Sequence, residues 1–163
     1  MAKGTQGLSP MDYALSYLTA RDRTVYEMQT YLDGKAFGEA DIDATIARLI
    51  ELGLLDDRRF AEQFVKTRLA SKPLSRSHLY RQLTEHHIAK DIVLEALESV
   101  PEETELDNAL MIAQKYTRQF RSLEPEKRRM RVLSRLQARG FGADVSYKVL
   151  RMAEDGLSEE DDA

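Results

Sequence analysis

Along the whole chain the apolar residues recur at helical spacing, and no alternating stretch bounded by turn residues is long enough to make a strand. Ser9-Pro10-Met11-Asp12 combines a capping serine, proline at the first helical position and an acid three residues beyond the cap, which together satisfy the free amides of a helix start. Met11, Ala14, Leu15 and Leu18 then share one face. Thr24-Val25-Tyr26-Glu27 repeats the capping pattern and opens a helix with Val25, Met28 and Leu32 inward, broken by Gly34 and Gly38. A third helix buries Ile42, Ile46, Leu49 and Ile50. Gly53 closes it, because a residue without Cβ takes a left-handed turn at little cost.

The same order of elements returns twice. Phe60, Ala61, Phe64, Val65 and Leu69 suit one helix, Ser75 caps a second with Leu79 and Leu83, and Ile92, Val93, Ala96 and Leu97 form a third. Thr104-Glu105-Leu106-Asp107 caps the next, with Leu106, Ala109, Leu110, Ala113 and Tyr116 at helical spacing. Pro125 opens another with Val132, Leu133 and Leu136, and Val145, Val149 and Leu150 mark the last. Superposition makes the repeat explicit: Met28-x3-Leu32-x4-Phe37, Leu79-x3-Leu83-x4-Ile88 and Val132-x3-Leu136-x4-Phe141 share their offsets, with a period of about fifty residues.

The expected fold is therefore all-α: three tandem three-helix repeats, each resembling a helix-turn-helix unit, in an elongated, curved array. The boundaries read as a disordered start at 1–8, repeats at 9–55, 56–100 and 101–153, and an acidic disordered tail at 154–163. A unit of this size buries little apolar surface alone, so neighbours are expected to stack.

Charge changes this picture locally. The net charge of −4 argues against a nucleic-acid binder if spread evenly, but between Lys115 and Arg151 eleven basic residues face three acidic ones, a local charge of +8. The tail that follows carries Glu154, Asp155, Glu159, Glu160, Asp161 and Asp162, with nothing apolar beyond Leu157, and is expected to be mobile. Arg128, Arg131, Arg135 and Arg139, spaced three, four and four apart, form one stripe on a helix whose other side carries Met130, Val132, Leu133 and Leu136. Like charges at this spacing repel by a few tenths of a kcal/mol per pair unless an anion compensates. The competing reading is a solvated face whose arginines pair with Glu124, Glu126 or the tail. Arg68, Lys72, Arg76 and Arg81 form a thinner basic cluster around the loop of the second repeat, for which ordinary surface charge is the competing reading. Tyr13, Tyr17, Tyr26 and Tyr31 offer stacking faces or rim packing.

Composition excludes much else. No cysteine is present, so disulfides and thiolate metal sites are ruled out. His78, His86 and His87 lack the spacing of a metal site, and no phosphate loop of the GxxxxGK[ST] or GxGxxG type occurs. Neither a secretory signal nor eighteen consecutive apolar residues is found, so a cytoplasmic chain away from membranes is expected. Neither a cofactor nor catalysis is expected.

The join between the first two repeats, Leu49-Ile50-Glu51-Leu52-Gly53-Leu54-Leu55-Asp56-Asp57-Arg58-Arg59-Phe60-Ala61, followed by Phe64-Val65 and Arg68-Leu69, resembles the signature of the RecX family of recombinase regulators. The opening Ala14-Leu15-Ser16-Tyr17-Leu18-Thr19-Ala20-Arg21, with Thr24 and Glu27-Met28, is similar to the same family. Physically the join is structural: Gly53 closes a helix, Leu54 and Leu55 drop into the core between units, and Asp56 or Asp57 caps the next helix. The chain departs from the family pattern at Glu85-His86-His87-Ile88, where lysine and glycine are usual, so His87 has to adopt the backbone of a glycine. The resemblance implies a monomeric protein that lies along the groove of a RecA filament on single-stranded DNA and limits its growth, ATP hydrolysis and strand exchange. It does not itself bind ATP on this reading. The alternative is an autonomous helix-turn-helix DNA-binding module, which would bind duplex tightly without a recombinase.

Overall fold

The computed structural model describes residues 7–161, and among these residues it contains nine helices and no strand. Unit one comprises α1 (Pro10–Leu18), α2 (Val25–Asp33) and α3 (Glu39–Glu51). Unit two comprises α4 (Asp57–Ser71), α5 (Arg76–Glu85) and α6 (Lys90–Glu98), and unit three α7 (Glu102–Gln119), α8 (Pro125–Ala138) and α9 (Ala143–Asp161). The capping signals act as expected. Ser9 and Thr24 close full capping boxes with Asp12 and Glu27, Asp56 accepts from the Arg59 amide, and Ser75 accepts from the His78 amide. Two hydrogen bonds from Ser9 hold the Asp12 carboxyl below its ordinary value.

Each unit has its own core. Ala14, Met28, Leu32, Ile42, Ile46, Leu49 and Leu55 pack together in the first. Phe60, Leu79, Leu83, Ile88 and Val93 belong to the second. Ile112, Tyr116, Val132, Leu136, Phe141 and Val149 belong to the third. The residue after each second helix plugs its own unit as the repeat pattern implies: Ile88 and Phe141 are buried and Phe37 packs against the first core.

Several apolar positions differ from expectation. Ile50 and Leu15 are exposed, because both lie at the edge of the stripe that faces the other two helices. Leu55 joins the first core whereas Leu54 stays at the surface, so the join fills no shared core between units. Gly53, at φ +69°, closes α3 as anticipated, and the Leu54 amide returns to the Leu49 carbonyl at 2.9 Å. The capping role expected of Thr104 is absent: α7 starts a turn earlier, after Pro101. There Glu102, Glu103 and Glu105 place negative charge in its first turn in place of a side-chain cap.

What joins the units is polar, and it repeats. The N-cap hydroxyl of the second helix in one unit donates to the C-cap carbonyl of the second helix in the next. Thr24 Oγ1 reaches His86 O at 3.3 Å, and Ser75 Oγ reaches Arg139 O at 2.5 Å. The first amide of that helix is taken by a carboxylate of the following unit: Val25 N donates to Asp57 Oδ1 at 2.9 Å and Arg76 N to Glu105 Oε1 at 3.2 Å. Helix starts leave amides without partners, and here the neighbouring unit supplies them. In unit three the equivalent position is Pro125, which has no amide to satisfy.

The accepting turn also repeats. Ala36, His87 and Gly140 each lie four residues past the repeat-pattern leucines Leu32, Leu83 and Leu136, and all three have positive φ, at 61°, 56° and 80°. His87 thus adopts the glycine-like backbone that its place in the pattern demanded, and its ring stacks on Tyr26 of the preceding unit at 3.8 Å between centroids. At Gly140 the requirement is double, since a Cβ there would stand 2.8 Å from Ser75 Oγ. Three separate cores connected by such joints expose 10765 Å² of surface, against roughly 8,000 Å² for a compact monomer of this mass. That excess fits a tandem array.

Candidate polyanion-binding face

The four arginines of the predicted stripe lie on or just past α8, and the structure gives them a floor. Tyr116 on α7 and Phe120 just past its end, four residues apart and both buried, stand beneath them. The Arg135 and Arg139 guanidiniums are each 5.3 Å from the Tyr116 ring centroid, and Arg131 is 5.7 Å from that of Phe120. Arg139 also donates to the Tyr116 hydroxyl at 3.0 Å. Lys115 joins the same ring at 5.6 Å. A guanidinium over an aromatic face is attracted by the ring quadrupole and keeps its outer N–H groups free for an anion.

None of Arg128, Arg131, Arg135 and Arg139 enters an ion pair among the described residues. Arg128 is half-buried, and its Nε is buried with no hydrogen-bond partner. The competing reading, pairing with nearby acids, is realised one residue away. Arg129 meets Glu126 at 3.3 Å and Glu154 at 2.8 Å, and Arg118 on α7 meets Glu160 at 2.5 Å. These partners hold Arg118 and Arg129 above their ordinary pKa and Glu160 below its own.

Those pairs also correct the expectation for the acidic segment. The chain beyond 153 continues as helix to Asp161, because Ala153 and Leu157 prolong the buried stripe of α9 and its carboxylates find arginines on α7 and α8.

Of the second basic cluster, Arg68 and Arg81 both act on the charge of His78, as does Arg139 of the stripe, whereas Arg76 is drawn into a joint. Arg68 lies 5.0 Å over Phe64 and lines an open cleft of about 490 Å³ between units one and two, with Arg21, Phe60, Gln63 and His86. Arg76 is a joint residue: its guanidinium donates to the Val100 carbonyl and its amide to Glu105. Arg81 approaches His78 Nδ1 at 3.2 Å, and Lys72 caps the end of α4 through its amide. Burial first, then the Arg81 charge, holds His78 below its ordinary value.

Three tyrosines of unit one, Tyr13, Tyr17 and Tyr31, are engaged within the unit, whereas Tyr26 is exposed and stacks on His87 of unit two. Tyr17 and Tyr31 stack at 4.0 Å, Arg23 sits 3.9 Å over Tyr17, and Tyr13 packs edge-on against Phe37. Sequence reasoning missed Tyr116 and Phe120 as the floor of the basic face. Their spacing of four, immediately before the arginine-rich helix, was the available signal.

The joint between units one and two gathers titratable groups. Burial works to raise Glu27, but the Arg21 guanidinium at 2.9 Å, the Thr24 amide and His86 outweigh it and hold the carboxyl below its ordinary value. Asp57 is pushed up, by burial first and then by Asp56 and Glu27. Among the described residues no group of three or more His, Cys, Asp or Glu is placed to hold a metal ion, and no helix is long and apolar enough to cross a membrane.

Comparison with known proteins supplies the family. Models of the RecX first, second and third three-helix domains match residues 11–49, 56–97 and 103–150. The regulatory protein RecX of Thermus thermophilus is 30% identical over 149 residues, covering 91% of this chain and 95% of that protein. That of Lactobacillus gasseri is 31% identical over 137 residues, 84% of this chain and 51% of its own length, and that of Bacillus pumilus is 30% identical over 90% and 56%. The chain thus spans about half the length of the last two. The crystal structure of RecX from Lactobacillus salivarius shares the fold, with a TM-score of 0.84 at 21% identity over 89% of this chain and 94% of that one. With three domain matches in tandem and a relative aligned almost end to end, the chain belongs to the RecX family of regulatory proteins.

Proposed function

We propose that this protein binds the RecA recombinase filament on single-stranded DNA and restrains its extension, ATP hydrolysis and strand exchange. The observation that carries this reading is the arginine face of unit three: four guanidiniums on one helix side, three of them braced on aromatic rings, none neutralised by a carboxylate among the described residues. Such a face suits an extended anionic partner, whether a phosphate backbone or an acidic protein groove. Three units with separate cores in tandem favour a polymer in the same way, because contacts spread along the array add up only on a partner that is itself repetitive. The protein acts by occupancy on this account, without catalysis, a cofactor or bound nucleotide. Titration of the purified chain into a RecA reaction on single-stranded DNA tests it. ATP hydrolysis is expected to slow at sub-stoichiometric amounts, and an unchanged rate at every ratio removes the proposal.

A further inference from the structure

The basic stripe of unit three does not stop at its last arginine. The Arg139 carbonyl accepts from Ser75 Oγ at 2.5 Å, and a Cβ on the next residue, Gly140, would stand 3.3 Å from the Ser77 Cβ, so the end of α8 rests on the first turn of α5. His78 lies in that turn. Arg81 Nη2 stands 3.2 Å from His78 Nδ1, and the charges of Arg68 and Arg139 reach the same ring. An arginine only donates, so Nδ1 accepts and the ring is neutral, with its proton on Nε2 facing the Gln82 side-chain amide at 3.0 Å. Three arginines thus meet around one imidazole, Arg68 from α4, Arg81 from α5 and Arg139 from just past α8, with Glu85 as the acid that opposes them there. None of the three enters an ion pair among the described residues. Burial first, and then these positive charges, disfavour a proton on His78, so the cluster accepts a further charge only when an anion joins it.

We infer that a phosphate of single-stranded nucleic acid is held at this crossing by Arg81 and Arg139, with Arg68 beside them, so that the anion-binding face runs from unit three onto unit two. This rests on the reading of the stripe as an anion-binding face and names its partner. Guanidiniums held over rings recur along the band, Arg68 5.0 Å over Phe64 and Arg135 and Arg139 each 5.3 Å over Tyr116, and that favours a strand over an acidic protein groove. The N–H edge of such a guanidinium meets a phosphate while its outer face stacks on a base, and a carboxylate side chain uses only the edge. The phosphate also supplies the charge that the cluster lacks. It draws Arg81 away from Nδ1, and His78 then takes a second proton and donates to the anion. By linkage the strand binds more tightly as pH falls through the titration of His78.

The test uses the full chain and a rhodamine-labelled oligothymidylate, with anisotropy measured across salt and pH. Arg81→Gln is expected to bind about three- to tenfold more weakly at low salt, and the slope of log affinity against log salt should fall by roughly 0.7, the value for one phosphate on a single strand. Arg48→Gln removes the same charge from unit one, where Arg48 pairs with Glu51 at 3.0 Å. Its loss should stay below about twofold, the share expected of long-range charge through screening salt. Between about pH 8 and about pH 5.5 the unaltered chain should gain at least about threefold in affinity beyond His78→Gln, which cannot take the second proton. Proton NMR reads the same event at the ring. The imidazole signals that disappear in His78→Gln should titrate at higher pH with the strand bound than without it, and an oligoglutamate of equal charge should leave them in place. Circular dichroism reads whether each variant keeps its helices, and the NMR arm needs only the unaltered chain once its signals are assigned. An unchanged salt slope in Arg81→Gln, or a His78 titration indifferent to the strand, overturns the inference. An equal response to oligoglutamate overturns the choice of a strand. Failure of the stripe itself reads separately, as strand binding indifferent to Arg131→Gln/Arg135→Gln.

Discussion

Replacing Ser75 by alanine probes whether the polar joints hold the array together. Ser75 is fully buried and makes two bonds at once: it accepts from the His78 amide at 3.1 Å, capping α5, and donates to the Arg139 carbonyl of unit three at 2.5 Å. Loss of an N-cap costs about 1 kcal/mol. Leaving the Arg139 carbonyl unpaired at a half-buried contact adds about 1 kcal/mol, the low end of the range for an orphaned group, so Ser75→Ala should destabilise by about 2 kcal/mol. Ser9→Ala supplies the baseline. It removes a cap of the same type on exposed α1 that joins no other unit, and should cost only about 1 kcal/mol. Urea unfolding followed by circular dichroism measures both. Because each unit has its own core, the Ser75 variant should also unfold less cooperatively, with unit three separating from the rest. If Ser75→Ala costs no more than Ser9→Ala and the transition keeps its steepness, the joint does not couple the units and the reasoning fails.

Three further outcomes follow from the site and the joints. Replacing Arg128, Arg131 and Arg135 together with glutamate should weaken inhibition of RecA ATP hydrolysis at least tenfold, about 1.4 kcal/mol, with helical content retained; full inhibition by that variant would reduce the stripe to surface charge. The folded-state pKa of Glu27 is depressed, so its stabilising contribution is present above about pH 4.5, the ordinary value, and is lost as pH falls through the lower folded value. Glu27→Gln should therefore flatten the acid limb of a stability–pH curve, and an unchanged limb would contradict the assigned contacts. Asp57 is shifted the opposite way: its folded form holds the proton more tightly, so its ionisation opposes folding as pH rises from the ordinary value of 3.8 through the raised one. Asp57→Asn, which keeps an oxygen for the Val25 amide, should be neutral or stabilising at pH 7, whereas Asp57→Ala should cost about 1–2 kcal/mol by orphaning that amide.

The architecture was legible because its signals are local. Ser9, Thr24, Asp56 and Ser75 announce helix starts within three residues, and the offsets from Met28, Leu79 and Val132 announce the repeat. Where a helix edge meets solvent, pattern alone misleads: Ile50 and Leu54 are as apolar as Leu49 and Leu55, and only the placement of the neighbouring helices separates them. The joints were hidden for another reason. Thr24 and His86 are 62 residues apart and Ser75 and Arg139 are 64 apart, and each pair comes together only when a cap and a left-handed turn meet in space. Arg76 illustrates the same limit, since its charge suggests a surface contact while its guanidinium holds the end of its own unit at Val100 and its amide reaches Glu105 of the next. The arginine stripe was readable from spacing. Its aromatic floor, and the fact that Arg129 rather than Arg128 takes the carboxylates, required the relative rotation of α7, α8 and α9.

The most direct test of the account compares how tightly the chain binds an assembled RecA filament on single-stranded DNA and the free, unassembled recombinase, measured by anisotropy of the labelled chain at one salt concentration. An array whose units share their contacts along a polymer should prefer the filament by at least about a hundredfold, the usual scale of gain from linked weak sites. Equal affinities for the two forms would contradict it.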